Sequence, residues 1–265
     1  MAIISTPAII LRRIEHSETS LICTFYTRNY GKLTAIAKGA RRPKSQFAGL
    51  LDLMNYLHIV VHVKETRNVQ TLSSAEYQRP FLRIQQDMRR TAIGMILIET
   101  IRQAIIGEEP HPEIFDLSIA ALSFLNDEDR ADIETLWWFH LHLVSLLGYH
   151  PKLQFCHECE QELRSGAFSS QSGHIYCERC STRQSDLTAL GNLELRMARY
   201  LQNHTLRQLD LDAIHRTILS PSGSQESDRP GIHPLHFTGV IVKYLQYHVE
   251  GIGTLRSMDF FTTLN

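Results

Sequence analysis

No apolar run in this chain approaches the roughly 20 residues that a helical membrane span requires. Its apolar N-terminal stretch has no basic residue ahead of it and no small-residue cleavage site, so it does not read as a signal peptide. Cysteine is scarce, at five in 265 residues. An odd set, four of them spaced for metal, points to a reducing compartment rather than a disulfide framework. Catalytic signatures are missing too, with no P-loop and no G-x-S-x-G. The Gly251-Ile252-Gly253 stretch lacks the third glycine of a dinucleotide fingerprint and follows a helical segment. Asp210 with Asp212, and Glu158, Glu160 and Glu162, could in principle hold magnesium. They lie in polar segments and read as solvated charge. No internal repeat is found.

The last absence is the most informative. Between Thr19 and Leu51 there is no acidic residue, while Arg28, Lys32, Lys38, Arg41, Arg42 and Lys44 lie there. The formal net charge is −1, but residues 1–80 hold 11 Lys and Arg against 5 Asp and Glu, and the remainder 16 against 23. Such asymmetry points to an anionic partner for the first part, nucleic acid above all. Four of the cations crowd into Lys38-Gly39-Ala40-Arg41-Arg42-Pro43-Lys44, where Gly and Pro mark a loop. Lys and Arg neutralise phosphates and release counterions. Tyr26, Tyr30 and Phe47 are interleaved with them, and Tyr30 and Phe47 are the candidates for stacking on unpaired bases. The predicted DNA-binding set is thus Lys38, Arg41, Arg42 and Lys44, with Arg28, Lys32, Tyr30 and Phe47. Arg12 and Arg13 are the next candidates.

Four cysteines form two pairs, Cys156-His157-Glu158-Cys159 and Cys177-Glu178-Arg179-Cys180, with seventeen residues between the pairs. This spacing fits a four-thiolate zinc site. Two residues between cysteines let one tight turn aim both sulfurs at a single ion, and two such turns close a tetrahedron with no open position. The expected cofactor is therefore one structural Zn2+. The segment Ser165–Gly173 between the pairs reads as a hairpin. Four sulfurs saturate zinc, so His157 and His174 read as bystanders. The fifth cysteine, Cys23, alternates with Leu21 and Phe25 and reads as a buried strand thiol.

At 43% apolar and 21% charged residues, the chain has the composition of a soluble globular protein able to bury a substantial core. Short strands are predicted at Ala8–Ile14, Ser20–Thr27, Lys32–Ala37, Leu50–Lys64 and Val69–Gln78, with a turn at Arg28-Asn29-Tyr30-Gly31. Five strands without an intervening helix suit a small closed barrel of the OB type. After Pro80 the period lengthens. Helices are predicted at Phe81–Ile106 with a break near Gly94, Glu113–Leu125, Ala131–Leu147, Gly191–Gln202, Asp212–Leu219 and Pro234–Val249. His140, Trp137 and Trp138 fall among the apolar positions of the third helix and read as core. Ser220–Gly231 is polar and rich in breakers, and reads as a mobile loop. The predicted fold is α+β and multi-domain: a five-stranded OB barrel over 1–79, then an all-α domain over 80–150 and 184–265, carrying a four-cysteine zinc hairpin inserted at 151–183.

Three stretches, in order, resemble the RecO family of bacterial DNA repair and recombination mediators. They are Ala37–Ser45, the join Leu147-Gly148-Tyr149-His150-Pro151 running into Cys156 and Cys159, and Gly253-Thr254-Leu255-Arg256-Ser257. The resemblance spans the whole chain. Glu160 departs from it where a glycine often follows the first cysteine pair, and Asp52 where a proline often follows the leucine after the basic loop. It implies an N-terminal OB-fold and a helical C-terminal domain, and binding to single- and double-stranded DNA with annealing of complementary strands. It also implies partnership with RecR and with the C-terminal acidic tail of single-stranded DNA-binding protein, so that RecA loads on coated single strands. A non-enzymatic, cytoplasmic, nucleoid-associated role without membrane contact follows. The alternatives are a metal-dependent nucleic-acid-processing enzyme with an OB module, and an interaction module whose zinc hairpin docks another protein.

Overall fold

The computed structural model describes residues 2–217 and 231–264. It divides into two compact units, Met1–Asp127 and Glu128–Asn265.

In the first unit, strands β1 (Ala2–His16), β2 (Ser20–Thr27), β3 (Gly31–Ala37), β4 (Tyr56–Val63) and β5 (Gln70–Arg79) form a closed barrel in the order β1-β2-β3-β5-β4. Neighbours are antiparallel except β3 and β5. This is the five-stranded architecture expected of an OB-fold. The long β1 serves two partners. Its first half pairs with β4 and its second with β2, and an irregularity between Ile10 and Arg12 re-aims the strand between them. Alternation sends Ala8, Ile10, Cys23, Phe25, Ala35, Leu57, Ile59, Val61 and Leu72 inward. Burial raises the Cys23 thiol to about pKa 11, so it packs as an apolar group.

β4 begins at Tyr56 rather than Leu50. Met54 has a φ of 69°, and the Asn55 side-chain amide donates to the Gly49 and Leu50 carbonyls at 3.2 and 2.8 Å. These bonds fold residues 49–55 into turns. The same unit contains α1 (Leu82–Gln86), α2 (Met88–Ala104) and α3 (Pro112–Asp127). The helical break predicted near Gly94 lies instead at Asp87. Its backbone is extended and its carboxylate accepts from the Arg90 amide at 2.9 Å, an N-cap. Gly94 serves packing, since a Cβ there would sit 2.5 Å from the Met54 sulfur. Gly31, at φ +60°, has the same role in the β2–β3 turn, where a Cβ would sit 2.3 Å from the Glu108 carbonyl oxygen.

The second unit contains α4 (Ile133–Leu146), β6 (Gly166–Ser169), β7 (Ile175–Tyr176), α5 (Glu178–Ser181), β8 (Leu187–Leu190), α6 (Asn192–Asn203), α7 (Leu211–His215), α8 (Pro234–His248) and α9 (Ser257–Thr263). Helix α4 is its spine. Trp137 and Trp138 are buried, and their ring N–H groups donate to Thr238 Oγ1 and to the His204 carbonyl, both at 2.8 Å. His140 is fully buried, and desolvation pushes its pKa down to about 3, so it is a neutral core residue. The hairpin expected near 165–173 appears as β6 and β7, joined by a third strand, β8, in the order β7-β6-β8. Neither β8 nor α9 is foreseen in the sequence pattern. The predicted helix Asp212–Leu219 is seen as α7. Its portion from 218 onward, and residues 220–230 of the predicted loop, lie outside the described residues. No described helix is long and apolar enough to cross a membrane.

Candidate metal centre and nucleic-acid interface

The first cysteine turn is shaped by its backbone. The Cys156 amide donates to the Gln161 carbonyl at 2.8 Å, and the Glu160 amide donates back to the Cys156 carbonyl at 2.9 Å. The second pair straddles the start of α5, where the Cys180 and Ser181 amides donate to the Cys177 carbonyl at 3.1 and 2.9 Å. β7 delivers Cys177 against the first turn, and its amide donates to the Cys156 sulfur at 3.3 Å. All four sulfurs then lie within 4.8 Å of one another. The Cys159 and Cys177 sulfurs are 3.8 Å apart. A tetrahedron with metal–sulfur bonds of about 2.3 Å has an edge of about 3.8 Å, so the donor set fits a four-coordinate ion. For Cys156 burial opposes ionisation, but hydrogen bonds from the amides of Cys177, Cys159 and Glu158 outweigh it and bring the pKa down to about 6. The Cys177 thiol is lowered chiefly by the Cys180 amide. Amide donors of this kind favour the thiolate, which is the ligand form.

The two nearby histidines are occupied with each other. The His157 and His174 rings stack at 3.7 Å and 11°. The metal-capable group among the described residues consists of the four cysteines alone. The hairpin is fastened to its unit by Arg199 of α6, whose guanidinium donates to the carbonyls of Leu153, Gln154 and Leu163 at 2.6–2.9 Å. The Phe168 ring packs on Tyr244 of α8 at 5.4 Å.

The basic loop is built differently. Successive turns carry the chain from Ala37 to Asn55, and the Arg41 amide donates to the Thr19 carbonyl in the β1–β2 turn at 2.9 Å. Phe47 and Leu51 drop into the barrel core at 4% and 2% exposure and hold the loop down. The stacking role expected of Phe47 is thereby corrected, because a ring spent on core packing has no face for a base. Lys38, Arg42 and Lys44 are exposed and, among the described residues, have no acidic partner. Arg41 is already engaged, pairing with Glu15 at 3.1 Å and donating to the Ser17 carbonyl at 3.2 Å. Arg13 pairs with Asp52. These two pairs line a cleft of about 260 Å³ at the mouth of the barrel.

Arg28, Lys32 and Tyr30 stand at the far end of the β2–β3 hairpin. Leu21 faces Ala37 at one end and Thr27 faces Gly31 at the other, a span of about 20 Å at 3.3 Å per residue. Arg28 makes a two-pronged pair with Asp116 of α3 at 2.9 and 2.8 Å, and that hydrogen bonding raises its pKa. The Lys32 ammonium donates to the Arg102 carbonyl at 2.9 Å, and burial, then Arg102, lowers its pKa. Both cations hold helices to the barrel. Tyr30 is 42% exposed, in a turn beside Glu108 and Glu109.

Two family descriptions match the chain: Recombination protein O N terminal over residues 1–81, and Recombination protein O C terminal over residues 85–257. The chain belongs to the RecO family. It is similar to the DNA repair protein RecO of Rhodopirellula baltica, at 35% identity over 184 residues and 68% of each chain. It also resembles the protein of that name from Salinibacter ruber, at 31% over 226 residues, 85% of this chain and 84% of the relative. The protein of the same name from Chlorobium limicola matches at 38% over 155 residues, 58% of this chain and 59% of the relative.

Membership in RecO makes the departure at Glu160 interpretable. Its φ is 56°, the left-handed conformation that a glycine adopts freely, so the turn keeps its shape with a different residue. At the other departure, Asp52 supplies the carboxylate that pairs with Arg13. Sequence reasoning missed the engagement of Arg41 with Glu15. The signal was a register across strands, invisible to a reading along the chain.

Proposed function

We propose that this RecO-family chain is a non-enzymatic recombination mediator that binds single- and double-stranded DNA through its barrel and anneals complementary strands. With RecR, it helps RecA load on single strands coated by single-stranded DNA-binding protein. The observation that carries this reading is the trio Lys38, Arg42 and Lys44, exposed and without acidic partners among the described residues, on a loop fixed at the mouth of a five-stranded barrel. Such cations supply sequence-independent affinity for phosphate, as annealing of arbitrary strands requires. Family membership supports the rest.

The ion is zinc, held by Cys156, Cys159, Cys177 and Cys180, one per chain. Four thiolates leave no position for substrate, so its role is structural. The domain division proposed is the barrel over 1–79, the helical domain over 80–150 and 184–265, and the zinc insertion over 151–183. The acidic tail of single-stranded DNA-binding protein is assigned to a groove of about 600 Å³ between α6 and α7, lined by Leu193, Met197, Ala213 and Ile214 together with Arg196 and Arg199. Apolar walls with two arginines, Arg196 and Arg199, against the single carboxylate of Asp210 suit an acidic, hydrophobic peptide. An Arg196→Glu variant that still binds such a peptide removes this assignment.

The test is strand annealing without nucleotide and with EDTA present. Annealing that proceeds and weakens with salt supports the reading. Cleavage of the strands in a parallel sample with Mg2+ in place of EDTA, or no annealing, overturns it.

A further inference from the structure

The outer face of β1, β2 and β3 holds a row of isoleucines in exact register. Ile14 faces Ile22, and Ile22 faces Ile36. Ile14 is 42% exposed, and Ile22 and Ile36 are half-buried. Three large apolar side chains side by side on the outside of a barrel contribute nothing to its core, which is filled from the other face by Cys23, Phe25 and Ala35. The next row, Arg12, Thr24 and Thr34, is polar, with the two threonine hydroxyls 3.4 Å apart. The row beyond that, Tyr26 with Lys32, is sealed by helices, since Tyr26 donates to the His111 carbonyl and Lys32 to the Arg102 carbonyl. The face is therefore closed at the helical end and open toward the β1–β2 turn and the basic loop.

We infer that this row is the base-facing platform for single-stranded nucleic acid, with the phosphates on Lys38, Arg42 and Lys44 beside it. The occupant follows from charge. From β2 to Leu51 there is no acidic residue, and Asp52 beyond it is paired with Arg13; Arg12 is exposed at one side of the row, and Glu15 at the barrel mouth is already paired with Arg41. Glu18, in the β1–β2 turn, is the one further carboxylate of the β1–β2 hairpin. An apolar surface beside uncompensated cations suits a ligand with apolar ring faces and an anionic backbone. In an OB-fold the strand 2–3 face is where oligonucleotides lie, ordinarily on aromatic rings. Here branched aliphatic side chains occupy that face. They offer contact to every base without hydrogen-bond readout, so they add affinity without sequence preference. A duplex keeps its bases stacked inside and gains nothing from the row.

This inference rests on the DNA-binding reading, and one experiment separates the two. Binding of fluorescent oligothymidylate and of a blunt duplex is measured across a salt series for the full chain. The variants are Ile14→Ala/Ile22→Ala/Ile36→Ala and, separately, Ile22→Phe, each checked by circular dichroism and thermal melting. The triple variant is expected to lose roughly five- to tenfold in single-strand affinity, as apolar contact to the bases is removed, with an unchanged salt slope and unchanged duplex binding. Ile22→Phe is expected to gain several-fold on single strands, because a ring stacks better than an aliphatic group. If the natural chain binds with a salt slope and neither variant changes single-strand affinity, the platform is refuted while the basic loop stands. Equal loss on duplex and single strand also refutes it. A natural chain without salt-dependent binding overturns both readings.

Discussion

In the hairpin of the second unit, four sulfurs from two turns lie within 4.8 Å of one another, beside an apolar anchor in which Phe168 packs on Tyr244. In the basic loop of the first unit, three cations have no acidic partner among the described residues, while Phe47 and Leu51 hold the backbone by packing. The first region gathers its functional atoms, so under the zinc proposal its fold leans on the ion. The second keeps them separate, so its fold is independent of its ligand. Metal sites stabilise by convergence, because thiolates left unneutralised repel each other. Phosphate sites work by leaving charge uncompensated, and the cost is low while that charge remains in water.

The largest effect expected is in the hairpin. Structural zinc sites have apparent binding free energies on the order of 10 kcal/mol in small peptides. Cys177→Ser should release the metal and expose the amides of residues 151–190 to hydrogen exchange, while β1–β5 stay protected and single-strand binding persists. Elemental analysis of the natural chain should find one zinc. Uniform loss of protection across both units would remove the contrast.

Next comes the anchor of the loop. Phe47→Ala should destabilise the barrel by about 3–5 kcal/mol, the usual cost of truncating a buried phenylalanine, read as a shift in the denaturation midpoint. The salt slope of DNA binding should stay the same. If stability holds and single-strand affinity falls, the ring faces the ligand after all.

The smallest effect is expected at the far end of the hairpin. Arg28→Ala breaks the exposed pair with Asp116 and should lower the melting temperature slightly, leaving the salt slope unchanged. A slope as flat as that of a loop-cation variant would bring Arg28 back into the interface.

These contrasts also explain what could be read along the chain. The cysteine cluster was legible because its sulfurs come from two local turns, and spacing within a turn fixes where sulfurs point. The strands were legible where alternation is strict, as in Leu57, Ile59 and Val61. They were misjudged at Leu50–Asn55, where Asn55 folds the backbone back through its side chain. The helix break was placed at a glycine, although Gly94 is needed for close packing on Met54 and the break belongs to the cap at Asp87. The basic set was counted correctly in one dimension. Only the closed barrel reveals that Arg28, Lys32 and Arg41 are engaged and that, among the described residues, Lys38, Arg42 and Lys44 have no acidic partner. Pairing of this kind depends on register between strands far apart in sequence, which no local pattern carries.

The central claim is that the uncompensated loop cations carry the interaction with DNA. The direct measurement is the log–log salt dependence of single-strand binding for the natural chain and for Lys38→Ala/Arg42→Ala/Lys44→Ala. At about 0.7 per phosphate neutralised, losing three contacts should flatten the slope by about 2, with the melting temperature and zinc content unchanged. An unaltered slope in the triple variant would contradict it.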